Sequence, residues 1–144
     1  MRVVLDSSIL VRAFRSPGGI AYNLLFAIIS GDHKLILSGE MLHEVAKVLR
    51  FPRMMQDHRR NEETIYNFIG LLTEAAEIVQ IDPLIHASIR DYSDIVVLQT
   101  VILGDAEVIC AGDRDFFEPP ASIFLASRGI EVLTDAQLMQ KLKA

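Results

Sequence analysis

The chain predicts an α/β fold: a mostly parallel central sheet with helices on both faces, in three layers. Three observations carry that expectation. Short apolar runs recur at Arg2 to Leu5, Leu35 to Leu37, Glu77 to Ile81, Val108 to Cys110 and Glu131 to Leu133. Segments with helical periodicity and recognisable caps lie between most of them. A length of 144 residues, without repeats, low-complexity stretches or an evident linker, suits one domain over residues 1–144.

The first strand, Arg2 to Leu5, is ended by Asp6. Ser16-Pro17-Gly18-Gly19 reads as a loop. Ile20 to Ser30 is strongly apolar and meets Gly31-Asp32, the pattern of a buried helix with a stop. After the second strand, Ser38 is placed to cap a helix whose core stripe is Leu42, Val45, Val48 and Leu49. Pro52 ends that helix, and residues 53–60 read as a polar, basic connector. Asn61 caps a third helix carrying Ile65, Phe68, Ile69 and Leu72 at i, i+3, i+4, i+7 spacing. The third strand, Glu77 to Ile81, stops at Asp82-Pro83. Ser93 to Leu103 fits either a helix or a buried strand. A helix is the better reading, because Val108-Ile109-Cys110 makes the better strand. Gly112-Asp113-Arg114-Asp115 is a strand-ending turn, and Thr134 with Gln137 forms a capping box for the last helix.

Composition narrows the setting. Hydrophobic residues make up 51%, which excludes a disordered chain. The single cysteine, Cys110, cannot form an internal disulfide and suits a reducing, cytoplasmic location. A charge arrives too early in Met1-Arg2-Val3-Val4-Leu5-Asp6 for a signal-peptide core. No apolar run approaches the roughly 20 residues of a membrane span, so no membrane association is expected. The net charge of −5 is unevenly spread. Residues 1–60 carry nine Lys/Arg against five Asp/Glu, whereas residues 61–144 carry five against fourteen. That balance argues against a long nucleic-acid groove but not against a nuclease whose carboxylates are neutralised by metal.

Candidate chemistry lies where strands end, because open α/β sheets bind ligands at the carboxyl ends of their strands. Asp6 and Asp113 occupy such positions. Taken singly, each is more simply a turn or helix cap. Glu44 sits beside a core stripe, where a solvated face paired with Lys47 is the plain alternative. Asp94 precedes Ile95-Val96-Val97-Leu98, where a first-turn acid favoured by the helix dipole is the plain alternative.

Four segments, in order, resemble the PIN domain family. Val3-Val4-Leu5-Asp6-Ser7-Ser8-Ile9-Leu10 is similar to its opening strand and Asp signature. Ser38 to Val45 is similar to the helix bearing an acid, matched by Glu44. Arg90-Asp91-Tyr92-Ser93-Asp94 is similar to the central acidic motif, matched by Asp94. Ile109 to Phe116 is similar to the closing strand and its Gly-Asp-x-Asp turn, matched by Asp113 and more loosely by Asp115. The resemblance covers roughly residues 2 to 143, and is nearest to the toxin components, of VapC type, of bacterial and archaeal toxin–antitoxin pairs.

The resemblance implies a Rossmann-like PIN fold and a site in which Asp6, Glu44, Asp94 and Asp113, with Asp115 as a fifth acid, hold Mg²⁺ or Mn²⁺. It implies hydrolysis of RNA, a cognate antitoxin as protein partner and a homodimer built through Ile20 to Ile29 and Met54-Met55. Ser7 would support Asp6 or a metal-bound water, and Arg12, Arg15 or Arg114 would touch phosphates. Electrostatics agrees: two carboxylates about 4 Å apart repel by about 4 kcal/mol at an effective dielectric near 20. Clustered acids therefore need cations or raised pKa values. The chain departs from the family pattern at Ser8, Ile95 and Ala111, where Asn, a polar residue and Thr or Ser are common. These departures keep alive the alternative of a catalytically weak PIN-fold binding module.

Other chemistries fail on residues. Asp6-Ser7-Ser8 lacks the second Asp of a dehalogenase-type phosphatase, and no Gly-x-Gly-x-x-Gly follows the first strand. His43-Glu44-Val45-Ala46-Lys47 lacks the second histidine of a zinc-protease helix. Cys110 reads as a small apolar strand residue, and Phe116-Phe117 as core or interface rather than a base-stacking platform.

Overall fold

The computed structural model describes residues 1–56, 60–81 and 92–143. Its elements run β1 (Arg2–Leu5), α1 (Ser7–Arg15), α2 (Ile20–Ser30), β2 (Lys34–Ser38), α3 (Gly39–Leu49), α4 (Pro52–Met55), α5 (Glu62–Ala75) and β3 (Glu77–Val79). Then follow α6 (Tyr92–Leu103), β4 (Val108–Cys110), a 3-10 turn (Arg114–Phe116), α7 (Ala121–Ser127), β5 (Glu131–Leu133) and α8 (Asp135–Lys143). The strands form one sheet in the order β3-β2-β1-β4-β5. Every pairing is parallel, so the sheet is wholly rather than mostly parallel among the described residues.

That order positions the site. The chain winds outward from β1 through β2 to β3, then returns to lay β4 and β5 on the other side of β1. The strand order therefore reverses between β1 and β4, and a crevice opens beyond the carboxyl ends of strands at such a switch point. Asp6 follows β1 and Asp113 lies just beyond β4. The Asp6 amide donates to the Cys110 carbonyl at 3.0 Å, tying the two strand ends together.

The inner strands are buried on both faces: Val3, Val4, Leu5, Leu35, Ile36, Leu37, Val108, Ile109 and Cys110 are all at most 1% exposed. The helices are held mainly by what they bury. In α1 these are Ile9, Leu10 and Ala13, of which Ile9 and Leu10 each contribute about 1.5–3 kcal/mol as an upper bound. Helix α6 packs on β1 and β2 and also meets α3. The result is the expected three-layer α/β/α arrangement.

The predicted caps form. The Ser38 hydroxyl accepts from the Met41 amide at 3.4 Å. Asn61 and Thr64 make a reciprocal capping box, and Thr134 and Gln137 make another. Some expectations need correction. The 53–60 connector begins inside a short helix: Pro52 stops α3 and then opens α4, where its fixed φ and missing N–H do no harm. Met54 on that turn is buried. Strand β3 ends at Val79 rather than Ile81. Ser7–Arg15 and Ala121–Ser127, unassigned from sequence, are helical. Val48, expected on the core stripe, is half-buried and faces the cavity described below. Asp82-Pro83 and Arg90-Asp91 lie outside the described residues.

Candidate metal centre

A cavity of about 410 Å³ opens at the switch point. Its walls include Asp6, Glu44, Asp94 and Asp113, brought from the junction of β1 with α1, from α3, from α6 and from the turn after β4. Ser7, Ser8, Arg12, Arg15 and three valines complete it.

Asp6 is 4% exposed. It is the N-cap of α1: its Oδ1 accepts from the Ile9 amide at 3.1 Å and from the Ser8 hydroxyl at 2.7 Å. Both bonds fall on one oxygen, which fixes the carboxylate plane. Burial pushes its pKa above the ordinary carboxylate value, and the negative charge of Asp113 pushes the same way. The two hydrogen bonds oppose that rise without cancelling it.

Asp94 stands in the first turn of α6 and is 7% exposed. Asp113 precedes the 3-10 turn and accepts from the Asp115 amide at 3.0 Å. This local bond folds Asp-x-Asp so that two carboxylates face one way. Asp94, Asp113 and Asp115 each bring a carboxylate oxygen to within 4.8 Å of the others. Asp115, the loosest match by sequence, thus belongs to the tightest trio, whereas Asp6 and Glu44 line the wider cavity. Glu44 is half-buried and forms no ion pair with Lys47 or any other described residue.

For three of the four acids the plain alternative holds, and for Glu44 the pair with Lys47 does not form. Asp6 and Asp113 are caps, and Asp94 is a first-turn acid. The capping geometry is what aims these acids at one cavity.

The supporting residues are redistributed. The hydroxyl that holds Asp6 belongs to Ser8, not to Ser7, which only lines the cavity. A serine in α1's first turn two residues after an N-cap aspartate carried the signal for this bond. Arg12 lines the cavity while its Nη1 donates to Asp135 at 2.9 Å. Arg15 lines the same wall, and Arg114 lines a neighbouring cavity instead. Gly112 has an ordinary φ, so conformational freedom is not its role. A Cβ there would lie 2.9 Å from Arg12 Nη2 and 3.0 Å from Ser8 Oγ, so glycine supplies room. Cys110 is fully buried, and burial drives its thiol well above the normal range, which suits a packing role.

Clustered carboxylate oxygens are hard donors, the set preferred by Mg²⁺ or Mn²⁺. Asp6, Glu44, Asp113 and Asp115 have no ion-pair partner among the described residues. The residues present therefore fit a divalent cation.

The sequence pattern of the PIN domain family matches residues 2–115, and the chain belongs to that family. No curated protein matches it. Among solved structures it is similar to the crystal structure of VapBC2 from Rickettsia felis bound to a DNA fragment from their promoter. The TM-score is 0.60 at 14% identity, covering 93% of this chain and 98% of that one. At such identity the likeness concerns the fold. Among the described residues no helix is long and apolar enough to cross a membrane.

Proposed function

We propose that the chain, read as one PIN domain over residues 1–144, is a metal-dependent endoribonuclease. It would hydrolyse phosphodiester bonds in single-stranded or structured RNA. Mg²⁺ or Mn²⁺ would be held by Asp6, Glu44, Asp94, Asp113 and Asp115. The carrying observation is the convergence of four acids from four separate elements on one cavity at the switch point. A bound divalent cation lowers the pKa of its water and stabilises charge on a phosphoryl oxygen. The protein's own contribution is orientation. Ser8 and the Ile9 amide hold one oxygen of Asp6, the Asp115 amide holds Asp113, and α6 carries Asp94 in its first turn. Arg12 and Arg15 on the rim supply positive charge for the phosphates beside the cut.

We read the chain further as the cytoplasmic toxin of a toxin–antitoxin pair. The resemblance of its motifs to VapC-type toxins supports this, and so does the fold shared with a VapBC2 complex. A cognate antitoxin would cover the acidic cavity. A homodimer would use α2 and α4, where Ile20 is 52% exposed and Met55 is half-buried. Light scattering at micromolar concentration checks the dimer.

The alternative of a catalytically weak binding module keeps its motive in Ile95 and Ala111, while at the third departure Ser8 still holds Asp6 by a hydrogen bond. The test is cleavage of a mixed-sequence single-stranded RNA in Mg²⁺, Mn²⁺ or EDTA, comparing wild type with Asp6→Asn. Cutting that needs metal and disappears in the variant is expected. Folded protein that never cuts would favour the binding module.

A further inference from the structure

Beside the acidic cavity lies a second one of about 310 Å³, lined by Arg12, Gly112, Arg114, Phe117, Thr134 and Asp135, with Ala111 behind. Arg12 lines both, and the Gly112-Asp113 turn runs between them. Phe116 and Phe117 are adjacent aromatics of the same pattern, and the structure separates them. Phe116 is 1% exposed and belongs to the core, whereas Phe117 is 38% exposed and forms a wall of this cavity. Arg114 has no ion pair among the described residues, while Arg12 is held at the boundary by Asp135.

We propose that this second cavity is a nucleoside subsite, in which the base next to the scissile phosphate stacks on Phe117 and a neighbouring phosphate meets Arg114. The inference deepens the nuclease reading and rests on it. A partly exposed aromatic ring and a guanidinium lining one cavity are the combination that binds single-stranded nucleic acid without reading sequence. The cavity is large enough for one nucleoside and too small for a duplex. Asp135, an acceptor only, opposes a phosphate on its own side and leaves the Arg114 side for the anion. Stacking tolerates every base, so the subsite requires a base at one position but no particular one.

The test is equilibrium binding, by fluorescence anisotropy in Ca²⁺, of a short single-stranded RNA and of copies made abasic at each position in turn. Wild type is expected to lose about tenfold in affinity for one abasic position, the typical scale of a base–aromatic stack. Phe117→Leu is expected to bind intact RNA about tenfold more weakly and to be indifferent to that abasic position, whereas Phe117→Tyr behaves like wild type. The exposed position makes all three proteins comparable in fold, which circular dichroism checks. RNA binding that is indifferent to both residue 117 and the abasic position would leave the nuclease reading standing and overturn the subsite. A wild type that binds no single-stranded RNA would overturn the reading beneath it.

Discussion

The two ends of the strands treat their acids differently. At the amino ends, two of the carboxylates are matched by cations. Arg2 on β1 pairs with Glu77 on β3, and Lys141 on α8 pairs with Glu131 on β5 at 2.5 Å. Arg2 also donates twice to the Gly104 carbonyl, at 3.0 and 2.7 Å, closing the turn between α6 and β4. At the carboxyl ends, Asp6, Asp113 and Asp115 face one another or a shared cavity without an ion-pair partner among the described residues. One end carries half-exposed ion pairs of small individual worth. The other gathers these acids without such pairs, the arrangement proposed above to hold a cation.

The sharpest way to break this contrast is to neutralise one acid at the carboxyl edge. Asp113→Asn keeps an oxygen for the Asp115 amide but removes a charge from the trio. RNA cleavage is expected to fall more than about a hundredfold, since even groups one step behind a metal ligand are worth about 10–100-fold. Single-turnover kinetics in saturating Mn²⁺ checks it.

Glycines at the two edges separate fold from site. A Cβ at Gly104 would lie 2.3 Å from Ile36 Cγ2 and 2.9 Å from the Thr100 carbonyl, both in packed surroundings. Gly104→Ala is expected to destabilise the protein by about 3 kcal/mol, in the range of overpacked cores, as measured by urea denaturation. At Gly112 the obstructing atoms belong to side chains that can move. Gly112→Ala should therefore fold, with a loss under about 1 kcal/mol. It should cut about tenfold more slowly, because Ser8 is displaced from Asp6.

Asp6 gives a pH test with a definite sign. Its pKa is raised in the fold, chiefly by burial, so ionising it costs stability. The contribution is most favourable below the unfolded value near 3.8 and is lost as pH rises through the folded pKa. In EDTA at pH 7, Asp6→Asn should melt higher than wild type, and the gap should close on acidification. Saturating Mn²⁺ should reverse the order, since a ligand at a hundredfold excess over its dissociation constant adds about 2.7 kcal/mol. Differential scanning calorimetry reads both. The smallest effect belongs to the matched edge. Glu77→Gln removes a half-exposed pair and should cost less than about 1 kcal/mol, fading in high salt.

The sequence made the sheet legible because buried parallel strands leave short apolar runs whatever their neighbours. It did not disclose strand order, since pairing depends on side-chain fit across β1 that no single run encodes. Helix α1 stayed hidden because its N-cap is the same Asp6 that ends the strand, leaving no loop to mark a boundary. Helix α7 stayed hidden because seven residues burying only Ala121 and Leu125 carry too little periodicity. At the candidate site, Asp6, Asp94 and Asp113 stand at strand or helix ends, where position alone marks them; Glu44 lies mid-helix, where only the resemblance to the family marks it. Asp115 and Ser8 were undervalued because their roles come from local turns. One is the 3-10 bond from the Asp115 amide to Asp113; the other is the Ser8 hydroxyl bond to Asp6.

The most direct test of the contrast between the edges is Mn²⁺ titration calorimetry of wild type, Asp94→Asn and Glu77→Gln. Saturable binding is expected in wild type, the same binding in Glu77→Gln and none in Asp94→Asn. Binding that survives in Asp94→Asn, or a wild type that takes up no Mn²⁺, would contradict a metal centre at the carboxyl edge.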